Sequence, residues 1–297
     1  MDMFAGFHLC EIKDCKMNET EICSVDADFD DIICRQNRDI PVNQIKKEYS
    51  MLFDKQDCIE LDIHSVSKGA QKKWLSKDRL FLIKERFYYQ LRFWNDDLVE
   101  VISSIIGRQL GINCLEQFLG RISGRDCSYS AYWGEKRFIP FGKLKGANEI
   151  YEYSDVIDRI KFTIDLLNSN THLDLTDYLG KMTLLDFIVG NEDRHLFNFG
   201  VLYDGSGYEV APLFDFGLGL FEHDVYYKGL SIEQCIQKMS KKPFHDWNQA
   251  LNYFAEITEL PKKTTIQIPE KLLPNSLAEP YLRYSLKTLG MEVALCD

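Results

Sequence analysis

The chain lacks any run of about 18 consecutive apolar residues, so no membrane-spanning helix is expected. It also lacks a basic N-terminal stretch leading into an apolar core. The opening residues carry Asp2, Glu11 and Asp14, which argues against a cleaved secretory signal. Positive charge is in deficit. Lys plus Arg total 35 against 46 Asp plus Glu, a net −11, which disfavours a nucleic-acid-coating protein and electrostatic docking on an anionic membrane. Paired cysteines are missing too: Cys10, Cys15, Cys23, Cys34, Cys58, Cys114, Cys127, Cys235 and Cys296 include no CxxC spacing. An odd number without a secretory signal argues against a disulfide framework, and the irregular intervals of the first four do not suit a zinc knuckle. Reduced thiols in a soluble, cytoplasmic protein are the expectation. No internal repeat or low-complexity segment is present.

What is present is ordinary globular material, 45% hydrophobic and 27% charged. The 297 residues exceed the length of a typical single domain, so two lobes or domains are expected. The texture changes near residue 150. From about 58 to 144 the apolar runs are short and strand-like, at 58–63, 80–84, 114–122, 129–133 and 137–144. One helix interrupts them. Asp96 and Asp97 stand at its start, Leu98, Val101, Ile102, Ile105 and Ile106 recur with helical period, and Gly111 suits its end.

Helices dominate beyond residue 150. Ser154 or Asp155 can cap one that carries Val156, Ile157, Ile160, Ile164 and Leu167. A second carries Leu175, Tyr178, Leu179, Met182, Leu185, Ile188 and Val189 and stops at Gly190. Segments near 231–240, 245–257 and 276–293 also read as helices. Between them Asp204-Gly205-Ser206-Gly207 joins two strand patterns, 199–203 and 208–214, as a hairpin. The expected architecture is α+β: a β-rich lobe over 58–144, a helical lobe over 145–297, and a segment 1–57 of unassigned role. The acidic run 26–31 within that segment reads as solvated surface.

The most informative stretch is G190-N-E-D-R-H-L-F-N-F-G200, followed after the hairpin by A211-P-L-F-D-F-G217. Asp193 and Asn198 share a loop, and the hairpin returns Asp215 beside Asn198. A carboxylate plus an Asn–Asp pair is what phosphoryl transfer requires. The carboxylate orients or deprotonates the attacking hydroxyl, and the pair holds Mg²⁺ against nucleotide phosphates. Taken singly, each has a plainer reading: a turn cap, a backbone-bonding Asn, a solvated strand end. The combination is hard to obtain by accident. Lys84 ends the apolar strand Leu80–Ile83, where it either meets phosphate oxygens or exits into solvent. On a helical wheel Glu100 projects away from the apolar stripe, as a solvated residue would.

These residues resemble the HipA-like serine/threonine kinases, a protein-kinase-fold family that includes bacterial toxin kinases. Besides D193-R-H-L-F-N198 and D215-F-G217, the stretch S65-V-S-K-G-A-Q-K-K-W74 resembles the family's phosphate loop, with Gly69, Gln71 and Lys73 on its Gly-x-Gln-x-Lys pattern. The resemblance implies a two-lobed, protein-kinase-like fold with ATP between the lobes. It assigns Asp193 as catalytic base and Asn198 and Asp215 as Mg²⁺ ligands. Ser67, Lys68, Gly69, Ala70, Gln71 and Lys84 fall to nucleotide binding, with Glu100, ahead of R108-Q-L-G-I112, pairing with Lys84. Ser65 and Ser67 are either sites of autophosphorylation, which would repel ATP, or ordinary turn serines. Asn191, Arg194 and His195 are read as loop-organising, and Asp186 as structural. The implied substrate is a protein hydroxyl of unknown identity, with an antitoxin or regulatory protein as a further partner. No direct nucleic-acid or membrane partner is expected. Family members carry a longer N-terminal subdomain than the 64 residues before Ser65, so that segment is expected to be abbreviated or replaced. Phosphatidylinositol kinases share a similar DRHxxN and DFG pair, which keeps a lipid kinase as an alternative. A non-catalytic nucleotide-binding module of a toxin–antitoxin system is another.

Overall fold

The computed structural model describes residues 51–61, 71–89, 92–222, 227 and 229–296. Cys10, Cys15, Cys23, Cys34, the acidic run 26–31, Ser65, Ser67, Lys68, Gly69 and Ala70 lie outside the described residues.

The first lobe begins with β1 (Met51–Phe53), β2 (Cys58–Leu61), β3 (Lys73–Ser76) and β4 (Phe81–Glu85). A short pair follows, β5 (Tyr88–Tyr89) with β6 (Arg92–Phe93), then helix α1 (Asp96–Gln109), β7 (Gln117–Ile122) and β8 (Arg125–Ala131). Six strands form one sheet in the order β1-β7-β8-β4-β3-β2, antiparallel except for the parallel β1–β7 pair. The β7–β8 turn is Ser123-Gly124, both at positive φ (46° and 82°), the twist that closes a two-residue hairpin. Trp74, Ile83, Ile122, Cys127 and Tyr129 form this sheet's own small core. Tyr129 is its centre, with Phe53 and Phe118 rings 5.3 and 5.4 Å away.

The second lobe opens with β9 (Arg137–Pro140), α2 (Val156–Thr171), α3 (Thr176–Val189), β10 (Gly200–Tyr203) and β11 (Tyr208–Val210). It closes with α4 (Ile232–Lys238), α5 (Trp247–Ile257), β12 (Thr265–Pro269), α6 (Ala278–Thr288) and β13 (Glu292–Cys296). Asp155 caps α2, accepting from the amides of Ile157 and Asp158 at 2.8 and 3.1 Å. From Tyr178 to Val189 nearly every residue of α3 is buried, and Gly190 at φ +60° ends the helix. A continuous aliphatic and aromatic core runs from α1 through α3 to α6.

The two-lobed α+β arrangement expected from the sequence is the one observed, with differences in detail. The sheet starts at Met51, ahead of residue 58, because β1 takes up the free edge of β7. Strand β9 pairs with β10 of the DGSG hairpin rather than with the six-stranded sheet. The strand pattern 137–144 stops at Pro140, after which residues 141–143 form a 3₁₀ turn. The helix expected to reach 293 ends at Thr288, and β13 instead pairs in parallel with β12. Among the described residues no helix is long and apolar enough to cross a membrane, and no three His, Cys, Asp or Glu cluster as a metal site. Cys58, Cys114, Cys127, Cys235 and Cys296 are free thiols.

Candidate active site

The loop after α3 is built around Arg194, which is wholly buried. Its Nε and Nη2 donate to Asp186, each within 2.9 Å, and its Nη1 donates to the carbonyls of Asn198 (2.8 Å) and Phe214 (2.6 Å). Asn191 donates to the same Asp186 carboxylate at 2.9 Å. Burial opposes the guanidinium charge, but the Asp186 carboxylate outweighs it and raises the pKa of Arg194. One side chain thus ties the end of α3 to the loop and to the strand exit before Asp215.

A second network enters from the β-rich lobe. Lys84 of β4, 4% exposed, donates to Glu100 Oε1 at 2.6 Å and to Asp215 Oδ1 at 2.8 Å. Burial alone would strip its charge; Asp215 and Glu100 prevail and hold the ammonium above the ordinary lysine pKa. Asp215 resists burial in the same way: Lys84 and then Lys73 hold its carboxyl well below the usual carboxylate range. Glu100 Oε2 accepts the Phe216 amide at 3.2 Å. Asp215 therefore sits between two clamps, Arg194 on the carbonyl before it and Glu100 on the amide after it. That explains how a non-glycine residue persists at φ +64°, a strained conformation that needs its surroundings to hold it.

Glu100 is 1% exposed, contrary to its place on the helical wheel. Helix α1 lies between the sheet and the helical lobe, so Asp96, Asp97, Glu100, Ser103 and Ser104 are buried on its polar side as well. Arg86 grips Asp97 with two parallel bonds of 2.8 and 2.7 Å, fixing the start of α1 against the end of β4.

Asp193 is held from both sides of its peptide. Its amide donates to Asn191 Oδ1 at 3.2 Å, and its carbonyl accepts Asn198 Nδ2 at 3.1 Å. His195 is half-buried, and its Nδ1 accepts the Phe197 amide at 3.2 Å. Burial is the largest influence on its pKa, which is lowered despite Asp193 and Asp215 nearby. A cleft of about 140 Å³ brings together Gln71, Lys73, Asp96, Asp193, Asn198 and Asp215. Gln71 donates to Asp96, whose other oxygen accepts the Phe87 amide at 3.0 Å.

Asn198 and Asp215 would supply oxygen ligands. Among the described residues no donor engages Asn198 Oδ1 or Asp215 Oδ2, and an oxygen-only pair suits Mg²⁺, which keeps several of its waters. The donor set fits that ion.

Of the residues singled out from sequence, Gln71, Asp193, Asn198 and Asp215 line this cleft, and Lys84 and Glu100 stand behind it, joined to it by the Lys84–Asp215 pair; Ser65 and Ser67–Ala70 lie outside the described residues. Lys73, placed on the phosphate-loop pattern from sequence, stands directly opposite Lys84, and that register aims it at the cleft. Sequence reading missed two participants. Asp96 was taken for a helix-start carboxylate. Lys242, whose Nζ lies 3.2 Å from Asp193 Oδ1, carried no signal, being 49 residues away along the chain.

No family model matches the chain, and no curated protein does. Among solved structures, the chain is similar to the Helicobacter pylori proinflammatory kinase CtkA at 21% identity and a TM-score of 0.48, over 65% of this chain and 70% of that one. It is also similar to HipA of Shewanella oneidensis MR-1, solved with HipB and operator DNA, at 15% identity and a TM-score of 0.38, over 78% of this chain and 66% of that one.

Proposed function

We propose that this chain is an ATP- and Mg²⁺-dependent serine/threonine protein kinase of the HipA-like type. The observation that carries the reading is the buried Lys84–Glu100–Asp215 network opening into a cleft that also holds Asp193 and Asn198. Lys84, kept charged by two carboxylates, suits phosphate oxygens, with Lys73 opposite it. Residues 65–73 are read as the phosphate loop, with Ser65 and Ser67 as acceptors within the chain itself. Asp193 accepts the proton of the acceptor hydroxyl. The hydroxyl oxygen bonds to the γ-phosphorus as the bond to the β,γ-bridging oxygen breaks, its electron pair leaving on ADP. Asn198 and Asp215 would hold Mg²⁺, which when bound neutralises phosphate charge.

The test is intact-protein mass spectrometry of the full chain after incubation with ATP and Mg²⁺, with peptide mapping and Asp193→Asn alongside. Wild type should gain phosphate, and Asp193→Asn should lose about 10³-fold in transfer rate while binding ATP normally. An unchanged rate would overturn the base assignment. Phosphate appearing on phosphatidylinositol vesicles and not on protein would transfer the reading to a lipid kinase.

A further inference from the structure

The backbone of Asp193 is fixed at both ends by Asn191 and Asn198, which leaves only its side-chain torsions free. The remaining constraint comes from the segment after α4. Lys242 Nζ lies 3.2 Å from Asp193 Oδ1, with side chains 45% and 38% exposed. A pair this open adds little to folding, yet the chain around it is anchored on both sides. Glu192, the residue before Asp193, accepts the Tyr227 hydroxyl at 2.6 Å and the Ser240 amide at 3.1 Å. Beyond Lys242, the Pro243 carbonyl accepts Arg159 Nη1 at 3.1 Å and Phe244 is buried. The adjacent Lys241 turns instead to the carbonyls of Ile236 and Met239 at the end of α4, at 3.0 and 3.4 Å. Of the two lysines, only Lys242 reaches Asp193.

We infer that Lys242 is a positioning residue for phosphotransfer: it pins Asp193 Oδ1, so that Oδ2 is presented to the acceptor hydroxyl. The inference rests on the phosphotransfer reading. It acts through geometry, and small displacements of a base from its acceptor cost rate rather than substrate affinity.

The experiment compares full-length wild type, Lys242→Met, Lys242→Arg, Asp193→Asn and the Lys242→Met/Asp193→Asn double variant. Phosphate transfer from ATP to dephosphorylated casein and to the chain itself is followed, with binding of a fluorescent ATP analogue and thermal midpoints. Lys242→Met should lower kcat about 30-fold, with KM and Kd for nucleotide within about twofold and an unchanged midpoint. Lys242→Arg should recover most of the rate. In the Asp193→Asn background, Lys242→Met should change the residual rate by less than about twofold, because the group it positions is gone. An equal loss in both backgrounds, an unchanged kcat, or a faster Lys242→Met enzyme overturns the positioning role and leaves the kinase reading intact. A wild type that transfers no phosphate to either acceptor overturns both.

Discussion

Arg194 and Lys84 are both buried cations paired with carboxylates, but their surroundings differ in completeness. Arg194 spends its guanidinium on Asp186 and two carbonyls, with the Phe216 ring 4.6 Å from its central carbon, and all of these partners belong to the helical lobe. Lys84 has two acceptors among the described residues, Glu100 and Asp215, for an ammonium with three donors. Its partner Asp215 keeps 24% of its side chain accessible from the cleft. The closed network is a scaffold, because nothing can enter without breaking a satisfied buried pair. The open one suits an incoming polyanion, which can replace one carboxylate without leaving charge stranded in the interior.

Breaking the closed network should have the largest consequence. Arg194→Met strands the Asp186 carboxylate and frees the Phe214 and Asn198 carbonyls, so urea denaturation should show a loss of about 3–5 kcal/mol. A loss under about 1 kcal/mol would erase the distinction between the two networks. Lys84→Met should reverse the balance. Glu100 keeps the Phe216 amide and Asp215 can reach water, so stability should fall by only about 2 kcal/mol. Phosphate transfer should meanwhile fall about 10²-fold, equivalent to about 2.7 kcal/mol of barrier.

The smallest expected effect sharpens the contrast through pH. The Asp96 carboxyl is pushed up to about 8, mainly by burial, with the Phe87 amide opposing and Asp97 and Glu100 adding to the rise. Since its folded pKa exceeds the unfolded value of about 3.9, the stability it contributes is full below that value and is lost as pH rises through about 8. The same ionisation adds a negative charge to the cleft. Wild-type affinity for Mg²⁺-ATP should therefore weaken about two- to threefold between about pH 7 and about pH 9, and Asp96→Asn should be flat over that range, as titration calorimetry will read.

Much of this site is local and therefore legible in the chain. Asp193 and Asn198 share one loop, Gly190 stops α3 just before it, and the Asp204–Gly207 turn returns the strand that leads to Asp215. Short-range geometry relates these residues, and turn and cap preferences report on it directly. The side of α1 that carries Glu100 is another matter. Periodicity identifies the apolar stripe but not whether the opposite face meets water or a second layer, and here the sheet and the helical lobe cover both. The parallel docking of β1, the placement of Lys73 opposite Lys84 and the approach of Lys242 to Asp193 likewise depend on contacts between distant parts of the chain. Local pattern could name the charged groups of the site because turns and helix ends constrain them over a few residues. Which charges are sealed, which stay open and which distant lysine reaches Asp193 were settled by tertiary packing, within the helical lobe for Arg194 and Lys242 and between the lobes for Lys84, since burial and pairing exist only once the chain is assembled.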